Sequence, residues 1–410
     1  MKIKIPKLQI WIVIFYVNVI LCTINFFVTA NPYSAYHSGR AGYESNFISI
    51  GFRINPAGLL LGSLIIISGY NIIKYGKIIC SKIGLFFCFL ILLVSLGNMG
   101  VISETKTVIY NILSIMLTSI LIAFSHQETT VINEVGIKKL YYFITILLLG
   151  GIIFALMFPN RYGIINIDFS RNARGEITYW LFIGLQIWSV VIALTMYYRH
   201  RKKLYLIPIV IVMFFQLAFA NRMAIIVITI PLLVYIFTLG NKNEKILLIM
   251  CIVGIIGFFG NDLINMFFLG NSFDIKTFSN GRFPLWSFYI SEMKKHWLCG
   301  AGPNLSSSSF YLGSAFSEIG VLKWFGEYGI VVGGFQLCCI IVAFIKSLKL
   351  LKNISKNYME INYTDLIMSF YYIACFVPFL LESYGRILNL TDFFAWFSMY
   401  YILEKKEDNK

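Results

Sequence analysis

Long apolar stretches follow one another along almost the whole of this 410-residue chain, and they constrain its fold more than any other feature. A helix needs about 20 apolar residues to cross a bilayer, where only helices and closed barrels satisfy their own backbone polar groups. The pattern predicts an all-α, polytopic integral membrane protein with about twelve transmembrane helices. Their ranges are 8–28, 56–73, 79–97, 107–124, 140–158, 177–198, 204–220, 223–239, 246–260, 328–345, 365–381 and 389–403.

The composition agrees with a membrane domain, since 58% of the residues are hydrophobic and 13% are charged. No polar stretch is long enough for a second folded domain, so we expect residues 1–410 to form a single membrane domain. The net charge of +15 comes from basic residues spread over short loops, which argues against a nucleic-acid partner. The histidines and cysteines lack metal-binding spacing, so no metal or other cofactor is expected.

Lysine-rich loops set the predicted orientation of the helices. An even number of spans puts both termini on one side of the membrane, and lysine marks that side as cytoplasmic. The inner loops then hold 21 of the 34 basic residues, and 19 of those 21 are lysine. The apolar run 8–28 is too long for the core of a signal peptide, and we interpret it as an uncleaved first helix.

Arginine is concentrated on the opposite, outer side, which the same rule should deplete of positive charge. That side holds the other 13 basic residues, and eight of them are arginine. A guanidinium group offers a fixed fork of donors that suits phosphate or pyrophosphate. The pattern predicts a phosphate-bearing or acidic substrate at the outer face. The eight residues are Arg40, Arg53, Arg161, Arg171, Arg174, Arg222, Arg282 and Arg386.

Arg222 and Arg282 have the strongest local arguments for binding an anion. Arg222 follows Asn221 at a tight outer turn, where a charge is costly unless it faces water, a ligand or a carboxylate. A side chain that snorkels to the interface is the alternative. Arg282 precedes a predicted amphipathic helix, whose N-terminus adds backbone donors that favour an anion.

The longest connection, residues 261–327, is predicted to be an extracytoplasmic loop inserted before the tenth transmembrane helix. Connections of this length are usually functional. From Pro284 to Trp297 apolar residues recur about every four positions, which predicts an amphipathic helix on the membrane surface. Gly300-Ala301-Gly302-Pro303 ends that helix. The residues of its apolar face are Leu285, Tyr289, Met293 and Trp297.

Outer carboxylates and one histidine are candidates for a general base, because a proton acceptor has to lie near the charged centre. We rank them Glu318, then Glu327, then His296, with a salt bridge or a helix cap as the alternative role for each. Outer aromatic residues can stack on sugars, or they can form an interfacial belt. The further candidates for contact with substrate are Arg161, Arg171, Arg174, Arg386, Arg40 and Trp286.

Short motifs in this part of the chain resemble the central signature of the O-antigen ligase/polymerase superfamily of bacterial membrane glycosyltransferases. They cover about residues 218–335, and the number of predicted spans and the long outer loop are similar as well. The motifs are Asn221-Arg222, Gly281-Arg282-x-x-x-Trp286, Gly300-Ala301-Gly302-Pro303 and Glu327-Tyr328-Gly329-Ile330-Val331-Val332-Gly333.

The resemblance implies an enzyme that handles undecaprenyl-pyrophosphate-linked glycans at the outer face of the bacterial plasma membrane, with Arg222 and Arg282 binding the pyrophosphate. Ligases of the superfamily carry a His-Asn pair where this chain has Ser317-Glu318. That difference favours a repeat-unit polymerase (Wzy-type) of O-antigen or capsule. Its partners are then the lipid-linked oligosaccharide, membrane lipid and a polysaccharide chain-length regulator. An O-antigen ligase and a lipid-linked oligosaccharide flippase or transporter are the alternatives.

Overall fold

The computed structural model describes eight continuous segments and a few isolated positions between them. Within these segments the chain is helical or forms short turns. The segments are 81–97, 134–157, 183–218, 222–246, 283–302, 320–356, 362–381 and 390–405. The helices are α1 (Lys82–Gly97), α2 (Glu134–Met157), α3 (Ile183–His200), α4 (Ile207–Ala218), α5 (Arg222–Thr238), α6 (Phe283–Lys295), α7 (Gly320–Lys356), α8 (Tyr363–Leu381) and α9 (Leu390–Glu404).

The all-α prediction is confirmed for the described residues. Eight of the predicted spans overlap described helices, while 8–28, 56–73, 107–124 and 246–260 fall largely outside them. Two described helices, Gly320–Lys356 and Tyr363–Leu380, are long and apolar enough to cross a membrane. The count of about twelve spans stays a prediction. Shorter apolar helices are Lys82–Leu96, Lys203–Phe214 and Ala224–Thr238.

Helices α3, α8 and α9 form the centre of the bundle, because nearly all of their described side chains are buried. Trp188 of α3 packs against Tyr371 of α8, with ring centroids 4.7 Å apart, and meets Phe394 of α9 edge to face. Helices α1, α2, α4 and α7 surround this centre and expose large aliphatic side chains, such as Ile146 and Val210. Apolar outer faces of this kind are typical of helices covered by lipid.

Ion pairs at one end of the bundle join the ends of four helices. Glu134, at the start of α2, lies 3.3 Å from Arg199 at the end of α3 and accepts a 2.9 Å hydrogen bond from Tyr363 at the start of α8. Lys405, after α9, pairs with Asp365 near the start of α8. The predicted topology likewise places the starts of α2 and α8 and the ends of α3 and α9 on the same side of the membrane. We call this end the inner end, after the predicted topology.

The start of α7 lies at the opposite end, which we call the outer end. Near the other terminus of α7, the Ile354 carbonyl accepts a 3.2 Å hydrogen bond from Tyr198, close to the inner end of α3. Gly320, the first residue of α7, lies so close to the Phe379 and Leu380 carbonyls that a Cβ would collide with them. The first turns of α7 and the last turn of α8 therefore share the outer end.

Helix α7 begins earlier than its predicted span, 328–345. Hydropathy assigned Lys323 and Glu327 to the outer loop 261–327 because both side chains are charged. In the structure they lie one helical turn apart, with Lys323 Nζ 3.9 Å from Glu327 Oε1. An opposite-charge pair at this spacing is compatible with a helix. The helix starts at Gly320 and includes the last residues of the predicted loop.

Replacing Glu134 with glutamine is expected to destabilise the protein by about 1 kcal/mol or less, the range of partly exposed ion pairs. The hydrogen bond from Tyr363 and the charges of Arg199 and His200 lower the pKa of Glu134, against the opposing effect of burial. A lowered carboxyl pKa stabilises the fold at neutral pH, and this contribution is lost as the pH falls through the lowered value.

Thermal unfolding of the purified protein in detergent, at neutral and at acid pH, tests this expectation. The difference between wild type and Glu134→Gln should shrink on acidification. Glu292→Gln is the matched control, since Glu292 pairs with Lys295, whose side chain is 62% exposed. A difference that is the same at every pH would contradict a role for the ionised Glu134.

Candidate functional site

Gly329 breaks α7 near its outer end. Its φ of 74° and ψ of −173° define a conformation that essentially only glycine adopts. In a continuous α-helix the Ile330 N–H would donate to the Gly326 carbonyl, four residues earlier. Here it donates to the Trp297 carbonyl instead, at 2.8 Å. The break therefore makes helix carbonyls available to another part of the chain.

Residues 297–302, which follow α6, fill this break. The Ala301 N–H donates to the Gly326 carbonyl at 2.8 Å, and the Gly302 N–H donates to the Glu327 carbonyl at 2.9 Å. With the Ile330 bond, three backbone hydrogen bonds join residues 297–302 to residues 326–330. We call this arrangement the kink contact. It pairs backbone groups that the break would otherwise leave unsatisfied.

Two glycines allow the backbones to approach so closely. Gly300 has a φ of 72°, and a Cβ there would lie 2.5 Å from both the Glu327 carbonyl and the Gly329 nitrogen. A Cβ on Gly329 would collide with the backbone of Leu298 and Cys299. Two of the motifs recognised in the sequence, one around Gly300 and one around Gly329, are therefore halves of one structural unit.

A buried cluster of polar side chains lies beside the kink contact. Glu327 has only 4% of its surface exposed. The Lys323 side chain, 12% exposed, places Nζ 3.9 Å from Glu327 Oε1. Tyr289 of α6 is also buried, and its burial together with the charge of Glu327 raises the pKa of the phenol. A carboxylate, an ammonium group and a phenol are thus grouped where α6 packs on α7.

Helix α6 is amphipathic, but protein covers part of its apolar face. Tyr289 lies at the centre of that covered part, and the helix ends at Lys295, before the predicted end at Trp297. Trp297 and Leu298 lie in the turn that follows and are 58% and 49% exposed. Part of the outward-facing apolar surface is therefore formed by Trp297 and Leu298, which lie beyond the end of α6. The residues that pack on Tyr289 are Trp286, Phe288, Ala301 and Leu322.

The structure brings several of the predicted site residues to the outer end. The last residue of α5 precedes Leu239, whose carbonyl accepts a hydrogen bond from Arg201 at the inner end. The first residue of α5, Arg222, therefore lies at the outer end; only its backbone is described. His296 follows α6 with an exposed side chain, whereas Glu327 is buried. Trp286 lies on α6 and packs on Tyr289. The remaining predicted site residues lie outside the described residues. They are Arg40, Arg161, Arg171, Arg174, Arg282, Glu318 and Arg386.

Sequence reasoning did not single out Lys323 and Tyr289 as members of this site. The spacing of Lys323 and Glu327, four residues apart, was an available signal for a paired charge on one helix face. Tyr289 was assigned to the apolar face of a membrane-surface helix, and no local pattern links it to a carboxylate further along the chain. Its place in the cluster depends on how α6 packs against α7.

The cluster has the groups needed for proton transfer and for binding hydroxyl groups. A carboxylate can accept a proton from a hydroxyl, and an ammonium group or a phenol can donate hydrogen bonds. Burial strengthens such polar interactions. Within the described segments, no group of three His, Cys, Asp or Glu side chains is arranged to hold a metal ion.

A scan of the sequence against models of known protein families gives no match, and a search of curated proteins gives none. The resemblance to the O-antigen ligase/polymerase superfamily therefore rests on the short motifs and on their spacing.

Proposed function

We propose that this protein is an integral membrane glycosyltransferase that polymerises undecaprenyl-pyrophosphate-linked oligosaccharide repeat units into O-antigen or capsular polysaccharide. The reaction takes place at the outer face of the bacterial plasma membrane. The kink contact is the observation that carries the proposal, because it joins two motifs that resemble the superfamily at the end of the bundle where Arg222 begins α5. The buried carboxylate of Glu327 lies beside that contact.

The apolar surface of the bundle supports a location in the membrane. Two helices are long and apolar enough to cross a bilayer. Large aliphatic and aromatic side chains are exposed on α1, α2 and α4, where lipid covers them at no hydrophobic cost. In this proposal the lysine-rich inner loops and both termini lie in the cytoplasm.

The proposed reaction moves the growing glycan from its carrier to the non-reducing end of a lipid-linked repeat unit. The bond from the anomeric carbon to the pyrophosphate oxygen breaks, and an acceptor hydroxyl forms the new glycosidic bond. Undecaprenyl pyrophosphate leaves with the negative charge, which preorganised guanidinium groups stabilise. Arg222, Arg282 and one of Arg161, Arg171 or Arg174 are the residues proposed for this role.

Glu327 is the general base that we favour, and Glu318 stays the alternative candidate. Glu327 is buried beside the kink contact, whereas the side chain of His296 is exposed. Lys323, 3.9 Å away, supplies the opposite charge that a buried carboxylate needs. The proton of the acceptor hydroxyl would pass to Glu327 as the new bond forms.

Glycan length profiling by gel tests the proposed function. Cells deleted for this gene should carry single repeat units on the final acceptor and lose the ladder of longer chains. Complementation with Arg222→Ala or Arg282→Ala should lower polymer formation at least about tenfold. A tenfold loss corresponds to an activation free energy higher by roughly 1.4 kcal/mol. Lysine at either position should restore activity only in part, because the bidentate geometry is lost. Arg199→Ala, at the inner end, is the control arginine.

Other profiles would favour the alternatives. Loss of all surface glycan while polymer accumulates on its lipid carrier would indicate a ligase. Accumulation of single lipid-linked repeat units on the cytoplasmic side would indicate a flippase. An unchanged ladder in the deleted strain would contradict both the polymerase and the ligase.

A further inference from the structure

We propose that Tyr289 binds the acceptor sugar, by donating a hydrogen bond from its phenol to a hydroxyl next to the one that Glu327 deprotonates. The inference rests on the proposed function. It adds a substrate-binding residue to the site and names its ligand class, the uncharged hydroxyl groups of a sugar. Tyr289 is then a residue that helps to select which acceptor hydroxyl reacts.

The first observation is a buried hydroxyl that makes no hydrogen bond. Tyr289 is 1% exposed, and its Oη has no hydrogen-bond partner among the residues that the structure describes. A buried polar group left in this way costs about 1–3 kcal/mol. Phenylalanine would pack in the same place without that cost. The hydroxyl can therefore bind a group from outside the described residues, and we assign that group to the substrate.

The second observation is the position of this hydroxyl. Tyr289 packs against Trp286 and Ala301, and Ala301 itself belongs to the kink contact. Burial raises the pKa of this phenol above its usual value, and the negative charge of Glu327 adds to that effect. A tyrosine phenol is protonated at neutral pH, so this hydroxyl is available as a donor close to the kink contact.

The charges of the cluster select the chemistry of the ligand. Glu327 of α7 is a charged group that acts on the Tyr289 phenol, and Lys323 lies 3.9 Å from the Glu327 carboxylate. A pyrophosphate would be repelled by the carboxylate, whereas a sugar can donate one hydroxyl to Glu327 and accept from Tyr289 with the next. The half-buried ring of Trp286 lies on the same helix and offers an apolar surface to the sugar. The acceptor fits this cluster, and the pyrophosphate does not.

The substitution Tyr289→Phe removes the hydroxyl and keeps the ring. Tyr141→Phe is the matched control, because the Tyr141 hydroxyl donates to the Leu204 carbonyl, 3.2 Å away at the inner end. Membranes that contain each variant are supplied with lipid-linked repeat units extracted from the deleted strain, over a range of concentrations. The initial rate of chain extension and the thermal unfolding temperature are measured for both variants and for Glu327→Gln.

We expect kcat/KM for the repeat unit to fall about tenfold in Tyr289→Phe, the effect of losing one hydrogen bond of about 1.4 kcal/mol to substrate. Its unfolding temperature should stay the same or rise, since an unsatisfied hydroxyl has been removed. Tyr141→Phe should extend chains at the wild-type rate. This combination separates a substrate contact from a merely structural role.

Two results would overturn the inference. One is a wild-type kcat/KM in Tyr289→Phe while Glu327→Gln is inactive, which leaves the proposed function intact. The other is a loss of activity in Tyr289→Phe together with a lower unfolding temperature, because the hydroxyl would then have a structural role. If membranes of the deleted strain extend chains as well as wild type does, the proposed function itself fails, and that outcome is distinct from both.

Discussion

Replacing Gly329 with alanine is expected to lower polymer formation at least about tenfold and to destabilise the protein by about 1–3 kcal/mol, the strain of a side chain in a glycine-only conformation. The φ of 74° and ψ of −173° have to be kept for α7 to break where it does. The new Cβ would also collide with the backbone of Leu298 and Cys299. Relief of that collision requires residues 297–302 to move away and the kink contact to open.

The same helix contains a matched control for this substitution. A Cβ on Gly334 would meet no atom within 4 Å. Gly334→Ala should therefore be as active as wild type, and about 0.5–1 kcal/mol more stable, the usual preference of a helix for alanine. Gly300→Ala should reproduce the effect of Gly329→Ala, because Gly300 closes the same contact from the other side.

Glycan ladders in complemented cells and thermal unfolding in detergent measure these effects. Ladder loss with Gly329→Ala and Gly300→Ala, and a normal ladder with Gly334→Ala, is the expected pattern. If Gly329→Ala behaves like Gly334→Ala in both measurements, the kink contact is unimportant for stability and for polymerisation.

Replacing Glu327 with glutamine is expected to lower the rate of chain extension at least about a hundredfold, the smaller end of the contribution of a general base. Glutamine is similar in size but is not a useful base at neutral pH. The substitution also leaves Lys323, 12% exposed, without the opposite charge 3.9 Å away. A loss of stability is therefore expected beside the loss of activity.

A double variant separates the two effects. Lys323→Met with Glu327→Gln removes both charges, so stability should recover relative to the single variant while activity stays low. Glu327→Asp keeps the carboxylate but withdraws it by one methylene group, and part of the activity should remain. Glu292→Gln, on α6, is the control and should extend chains normally. Full activity of the stable double variant would exclude Glu327 as the base and make Glu318 the next candidate.

The positions of the helices were largely predictable because hydropathy and charge are local properties. Helix α8 was predicted at 365–381 and is observed at Tyr363–Leu381. Helix α7 shows where this reasoning is insufficient. Hydropathy reads Lys323 and Glu327 as loop residues, yet each charge is compensated by the other one turn away, so the helix continues through them.

The sequence by itself determined the helical architecture of the described residues. It also predicts a lysine-rich and an arginine-rich side, and it contains the motifs that suggest a chemistry. Only the tertiary structure decided that the motif around Gly300 fills the break at Gly329, and that Tyr289 packs against Ala301 of that contact. The physical reason is the nature of these contacts. They are backbone hydrogen bonds and buried side-chain interactions between segments far apart in the chain, and they exist only once α6 packs on a broken α7.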